Sequence, residues 1–312
     1  MSLVVDNLHK RFGPVTALDG VGFEVPQGSV VGLIGPNGSG KTTTMRIVLR
    51  ILAADRGRVL WKGRPVEELA FRVFGYLPEE RGLYARMRVR DQLRFFAHLY
   101  GLKRAEAARA LAEVSQLLEM GEILGRRVEE LSKGNAQKVQ FAAACLHGPE
   151  LLILDEPFSG LDPVNTRLFK RALGHLRERG TTILFSSHQM DHVEELCDSL
   201  VLIARGRVRL AGSVQAVRGA TGRRVVRLAW DAADGAATRG WLEGWRARGV
   251  EVTERPHGVF EVSYGAAQAE VGEALAREAF QRGPLRLFER TYPSLEDVYV
   301  AVVGEEGEGG GP

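Results

Sequence analysis

The residues Gly35, Pro36, Asn37, Gly38, Ser39, Gly40, Lys41, Thr42 and Thr43 follow an apolar run and set Gly35, Gly40, Lys41 and Thr42 at the spacing G-x-x-x-x-G-K-T. Glycines so placed let a loop curl until successive N–H groups point inward at an anion, and the helix that follows adds its positive end. Lys41 supplies a mobile cation for the outer phosphates of a nucleotide, and the Thr42 hydroxyl is a ligand for Mg²⁺. A second apolar run ends in acid, LLILDEP at residues 151–157. Asp155 is the natural Mg²⁺ partner there. Glu156 lies one residue further, where Pro157 turns the chain, so it is expected to face the γ-phosphate and orient a water. A third motif, LSKGNAQ at residues 131–137, sets Ser132 and Gly134 just ahead of a helix expected from Asn135. That is a second place where leading N–H groups can receive an anion.

Such groups need a rigid frame. Residues 3–7, 30–34, 151–154, 182–185 and 199–203 are short, apolar and rich in branched side chains, the pattern of buried strands. Helical patterns over residues 42–51, 163–179 and 191–196 alternate with them, so the expected fold class is α/β with a mostly parallel sheet. Residues 89–100, 104–118 and 135–146 are helical without an intervening strand, which marks an inserted helical subdomain over about residues 85–148. The stretch 219–224 (GATGRR) reads as a linker and ends a first domain at residues 1–220. Beyond it the order is strand, helix, two strands, helix, strand and a last helix from Ser294, capped by Asp297. This predicts a small α+β domain over residues 221–304, ferredoxin-like in kind, and a disordered tail at 305–312.

Composition narrows the partners. Hydrophobic residues make 45% of the chain and charged ones 26%, the balance of a soluble globular protein. The net charge of +3 is too small and too evenly spread to favour nucleic acid. No run of about 18 apolar residues occurs, so the chain is not expected to span a bilayer alone. Cys145 and Cys197 show no metal-ligand spacing and are expected to be buried free thiols in a reducing compartment.

Taken in order, these motifs resemble the ATP-binding-cassette (ABC) family over roughly residues 2–218. GPNGSGKT resembles its Walker A loop, LSKGN its signature motif, LLILDEP its Walker B strand, and SGLD at residues 159–162 its D-loop. Ser187 and His188 resemble its switch histidine, and Phe12 the aromatic that stacks on adenine. The resemblance implies an ATPase using ATP and Mg²⁺, working as a head-to-tail dimer. Each nucleotide would be held by the Walker motifs of one copy and by the signature loop of the other. It gives Ser132 and Gly134 a role across that dimer, Glu156 the attacking water, His188 the γ-phosphate, and Asp162 a link between the two sites. The signature departs from the common LSGGQ, with Lys133 and Asn135 in place of Gly and Gln. LSKGN and the C-terminal SLEDVYV (residues 294–300) resemble the branch of bacterial exporters associated with sodium extrusion and drug efflux. Its ATPase is a separate cytoplasmic polypeptide, peripheral on the membrane, that drives a permease and pairs with itself or with a second ABC ATPase.

The loop GYLPEERGLY at residues 75–84 sits where the family usually carries a Gln that approaches Mg²⁺. Here Glu79 stands at that position. It can offer oxygen to the metal but cannot donate an amide hydrogen bond. Glu80, Arg81 and Tyr84 are candidate contacts to the permease. Two other functions compete with the transport motor: a soluble ABC ATPase acting on ribosomes or DNA, and a switch regulated by an effector bound at the C-terminal domain.

Overall fold

The computed structural model describes residues 3–80, 82–231 and 235–304. Arg81 and the tail from Glu305 lie outside the described residues. Strands β1 (Leu3–Phe12) and β2 (Val15–Val25) pair antiparallel about a turn at Gly13, whose φ of +56° suits a residue without a side chain. Strand β3 (Val30–Ile34) is buried at every residue and runs through the glycine loop into α1 (Lys41–Val48). Strands β4 (Arg56–Trp61) and β5 (Arg64–Pro65) then join β1 and β2 in a four-stranded sheet of order β2-β1-β4-β5. Strand β6 (Phe74–Leu77) leads to the helical insert, which comprises α2 (Val89–Leu99), α3 (Arg104–Leu117) and α4 (Lys133–Cys145). After it come β7 (Leu151–Leu154), α5 (Pro163–Glu178), β8 (Thr182–Ser187), α6 (Met190–Leu196), β9 (Ser199–Ala204) and β10 (Arg207–Ser213).

The second sheet has the order β10-β9-β3-β8-β7-β6, and the pairs β9/β3, β3/β8, β8/β7 and β7/β6 are parallel. Burial on both faces explains why β3, β7 and β8 read as uninterrupted apolar runs. One apolar cluster joins the two sheets, from Leu3, Val5 and Leu8 of β1 to Leu33, Ile153 and Leu184 of the parallel strands and Met45 of α1. Gly32 is required by space: a Cβ there would stand 2.9 Å from Val193 Cγ1 and 3.1 Å from Cys197 Sγ on the α6 side. Cys145 is buried and free, as expected, while Cys197 is free but only half-buried.

The described chain divides into two compact units at Gly212/Ser213, earlier than residues 219–224. Ser213 caps α7 (Val214–Gly219), accepting from Ala216 N–H at 3.1 Å. The second unit continues with β11 (Arg223–Trp230), α8 (Gly235–Arg246), β12 (Glu251–Arg255), β13 (Val259–Gly265), α9 (Ala269–Gln281), β14 (Leu285–Thr291) and α10 (Leu295–Gly304). Its sheet, β12-β13-β11-β14, is antiparallel throughout. Val226, Leu228, Phe260 and Val262 form its core with Leu242, Trp245 and Leu275. Glu261, by contrast, pairs with Arg227 and Arg255, each at 2.7 Å, as partly exposed ion pairs that add little stability. The cap read at Ser294 and Asp297 is reciprocal: Ser294 N–H donates to Asp297 Oδ2 at 3.1 Å, and Asp297 N–H to Ser294 Oγ at 3.1 Å. Among the described residues no helix is long and apolar enough to cross a membrane.

His147 ties the insert to the sheet. Its Nε2–H donates to the Phe74 carbonyl at 3.0 Å, and its ring stacks on Tyr100 with centroids 3.7 Å apart. Its Nδ1 is buried without a partner, and burial pushes the imidazole from its ordinary 6.5 down to about 4. The folded chain therefore resists a proton that the unfolded chain accepts. The contribution is complete above pH 6.5 and is lost as pH falls from there through 4. Urea midpoints measured over that window should fall more steeply for the native protein than for His147→Phe.

Candidate functional site

Strands β3, β8, β7 and β6 end side by side, because Ile34 pairs with Ser187, Leu154 with Phe185 and Leu77 with Leu154. The loops after them carry the candidate chemistry, at the carboxyl edge where open α/β sheets bind ligands. Gly35 and Gly40 have φ of +151° and +110°. A Cβ on Gly35 would run into the Ile203 carbonyl, and one on Gly40 would come 2.6 Å from Leu18 Cδ2. The loop thus curls tightly, with Asn37 and Gly38 exposed and Ser39, Gly40 and Lys41 buried. Lys41 Nζ donates to the carbonyls of Gly35 at 2.7 Å and Pro36 at 3.1 Å. Burial lowers the Lys41 pKa, while the nearby carboxylates of Glu156, Asp155 and Glu79 pull it the other way. Thr42 and Thr43 are half-buried at the start of α1, whose first turn holds no acid, so its N–H groups are open to an anion.

Asp155 is 2% exposed. Its Oδ1 accepts from the Ser186 hydroxyl at 2.6 Å, and its Oδ2 is buried with no hydrogen-bond partner. A lone buried carboxylate oxygen suits a magnesium ion that keeps waters and phosphate oxygens as most of its ligands. Among the described residues no group of three or more His, Cys, Asp or Glu could hold a metal. Glu156 adopts φ +49°, a left-handed conformation that costs a non-glycine residue roughly 1 kcal/mol or more. Its N–H donates to Ser186 Oγ at 2.9 Å, and its Oε2 lies 2.9 Å from His188 Nδ1. His188 is otherwise well exposed.

Glu79 is exposed in the loop after β6, within electrostatic reach of Lys41. Gln140 on α4, buried at 4% exposure, braces that loop by donating from Nε2 to the carbonyls of Pro78 and Glu80, both at 3.0 Å. Phe12 ends β1 with 49% of its surface exposed and Lys10 Nζ 5.6 Å from its ring centre. An aromatic face is therefore free there rather than buried in core.

Ser132 caps α4, accepting from Asn135 N–H at 3.3 Å. The helix starts at Lys133, not at Asn135, so Gly134 lies inside its first turn. The signature residues meet the D-loop instead of the glycine loop. A Cβ on Gly134 would come 2.8 Å from Asn165 Nδ2. Asp162 caps α5, its Oδ1 accepting from the N–H groups of Val164 at 3.0 Å and Asn165 at 2.9 Å. These contacts hold the Asp162 carboxyl below its usual range. Among the described residues no hydrogen bond or ion pair joins Ser132, Gly134 or Asp162 to residues 35–43. Sequence reading missed Ser186 and Gln140. The one available signal was a pair of serines ending an otherwise apolar strand, TILFSS.

A family model described as ABC transporter matches residues 18–159. The ABC transporter ATP-binding protein YhaQ of Bacillus subtilis (strain 168), itself described as uncharacterized, is 41% identical over 309 residues, covering 97% of this chain and 98% of that protein. Nod factor export ATP-binding protein I of Paraburkholderia xenovorans (strain LB400) is 38% identical over 219 residues, 68% of this chain and 71% of its own length. A solved ATP-binding subunit of an ABC transporter matches with a TM-score of 0.67 and 33% identity, over 71% of this chain and 94% of that one. Fold and edge geometry thus define an α/β nucleotide-binding cassette. The chain belongs to the ABC transporter ATP-binding proteins, an ATP-hydrolysing family.

Ser186→Ala would leave the Glu156 N–H without its acceptor and Asp155 Oδ1 without its donor. Supporting bonds of this kind are worth about 10- to 100-fold in metal affinity or activity. A loss of turnover of that size, with a higher Mg²⁺ concentration needed for half-maximal rate, is the expected result of an ATPase titration.

Proposed function

We propose that the chain is the ATP-hydrolysing motor of a membrane exporter, driving a separate permease from its cytoplasmic face. The observation that supports the hydrolytic reading is the placing of Glu156 against His188 while Glu156 and Asp155 lie within electrostatic reach of Lys41. Residues 35–43 would hold the phosphates of ATP, Phe12 would stack on the base, and Thr42, Asp155 and Glu79 would hold Mg²⁺. Bound there, the ion supplies charge neutralisation to the phosphates. Glu156 accepts the proton of the attacking water, and His188 holds Glu156 in place and meets the γ-phosphate.

Ser132, Gly134 and Asp162 are assigned to the nucleotide of a second copy, since Ser132 caps the helix that holds Gly134, Gly134 and Asp162 both meet Asn165, and none bonds to residues 35–43. The permease contact is assigned to the loop at Glu79 and Glu80 and to the aromatic ledge beside it. Tyr84, Phe95 and Leu99 expose 54%, 43% and 68% of their surface, and the Tyr84 and Phe95 rings meet edge-on at 5.9 Å. Exposed apolar surface on this scale marks a protein contact. Export is supported by the likeness to the Nod factor export protein.

Residues 1–212 form the cassette in this reading, with the helical subdomain at about 85–148. Residues 213–304 form an accessory unit of ferredoxin-like kind, supported by its strand order. A groove of about 730 Å³ in that unit favours an effector as a second reading. Of its charged lining groups, both arginines are already paired, Arg223 with Glu251 and Arg255 with Glu261, which leaves no free cation for an acidic ligand among the described lining residues.

Glu156→Gln should still bind ATP, form a stable ATP-dependent dimer and lose most hydrolysis. Near-normal turnover removes Glu156 as the base. Purification of the tagged chain from detergent-solubilised membranes should bring a multi-span protein with it, whereas recovery of ribosomal proteins favours the soluble alternative. Replacing Tyr84 and Phe95 together by Ser should lower that recovery and leave the basal ATPase rate of the isolated chain unchanged.

A further inference from the structure

Two glycines face each other's neighbours across the signature loop and the D-loop. Gly160 of SGLD is exposed with φ +69°, and a Cβ there would collide with Nζ of Lys133 and stand 2.6 Å from its Cε and 3.3 Å from its Cδ. The Lys133 side chain therefore lies across Gly160. Gly134, next to Lys133, receives Asn165 in the same way, with Nδ2 2.8 Å from where its Cβ would be. Gly134 has no positive φ, so its small size serves the approach and not the backbone. Asn165 is tied in turn to Asp162 by a 2.6 Å bond from Nδ2 to Oδ2. Gly160 thus offers a seat to Lys133, and Gly134 offers one to Asn165 in the first turn of α5.

Lys133 gains nothing from its helix. It opens α4, where a cation opposes the positive helix end and the first turn carries no acid. No hydrogen bond or ion pair holds its ammonium among the described residues. Its packing on Gly160 is what the structure shows it doing.

We propose that Lys133 is a positioning residue that locks the signature loop to the D-loop, so that Ser132, Gly134 and Asp162 approach the second copy's nucleotide as one piece. This deepens the two-copy site proposed above and rests on it. It also accounts for Lys where the common signature has Gly: the stem fills the seat that Gly160 leaves open. The lock acts through the carbon stem, so charge is secondary to length.

A double-mutant cycle tests it by ATPase kinetics on the full chain. Gly160→Ala should lower kcat because the methyl displaces the end of Lys133 from its seat, with KM for ATP changed less than twofold, because residues 35–43 are untouched. Adding Lys133→Gly should recover at least about fivefold of that loss, a coupling within the range for residues in contact. Backbone strain from alanine at a positive φ is common to both backgrounds and cancels. Lys133→Met, which keeps the stem, should retain most of the native rate, whereas Lys133→Gly alone should lower kcat several-fold. Independent effects of the two substitutions, or a Met variant as slow as the Gly variant, would overturn the lock. The underlying two-copy site is read separately, from ATP-dependent dimerisation of Glu156→Gln. If that dimer forms and the coupling is absent, only the lock fails; if no dimer forms, the two-copy reading itself fails.

Discussion

Parallel pairing fixes the height at which four strands stop, and the candidate chemistry hangs from that level. Strands β3, β8, β7 and β6 are held in register by successive parallel ladders, so none can slide without breaking one. The chain beyond each strand must leave the sheet at the same edge. That is how Lys41, Asp155, Glu156, His188 and Glu79 come together from distant parts of the sequence. Ser186 shows the constraint at its finest scale. As the penultimate residue of β8, it reaches the acidic pair leaving β7 and bonds both the Asp155 carboxylate and the Glu156 N–H.

Residues whose chemistry dictates both type and spacing were legible in the sequence. The glycine loop and the LLILDEP strand could be read because few other residue types would curl around phosphate or end a buried strand in acid. The strands buried on both faces were legible for a related reason, since uninterrupted apolar runs survive without knowledge of the partner. Strands β2, β4 and β10 were not. In β10 exposed and half-buried positions alternate, and the pattern is indistinct until the pairing is known. The start of α4 was placed late because Gly134 weakens a helix, and the approach of Asn165 to a glycine there is seen only in the folded chain. Gln140 acts through carbonyls some sixty residues upstream, a distance no local pattern contains. The division between units at Ser213 was hidden for the same reason. Arg218, in the short helix after it, donates to the carbonyls of Tyr292 at 2.9 Å and Pro293 at 2.7 Å near the chain's end.

The charges at the site are held in a way that fits the ligand proposed for it. Lys41 rests on two neutral carbonyls, Glu156 on His188, and one oxygen of Asp155 on Ser186. The Lys41 contacts are to neutral carbonyls and not to a carboxylate. Phosphate oxygens would therefore draw Lys41 off the carbonyls of Gly35 and Pro36 without breaking an ion pair. Asp155 Oδ2 is the exception, a buried carboxylate oxygen with nothing to accept from. Leaving it so costs free energy that a divalent cation recovers. The left-handed backbone at Glu156 adds to the same poise, because the turn aims its carboxylate at His188 and is kept by the Ser186 bond to its N–H. Asp155 and Glu156 thus set a carboxylate oxygen without a donor beside a left-handed residue, and a magnesium-bound triphosphate would relieve that oxygen.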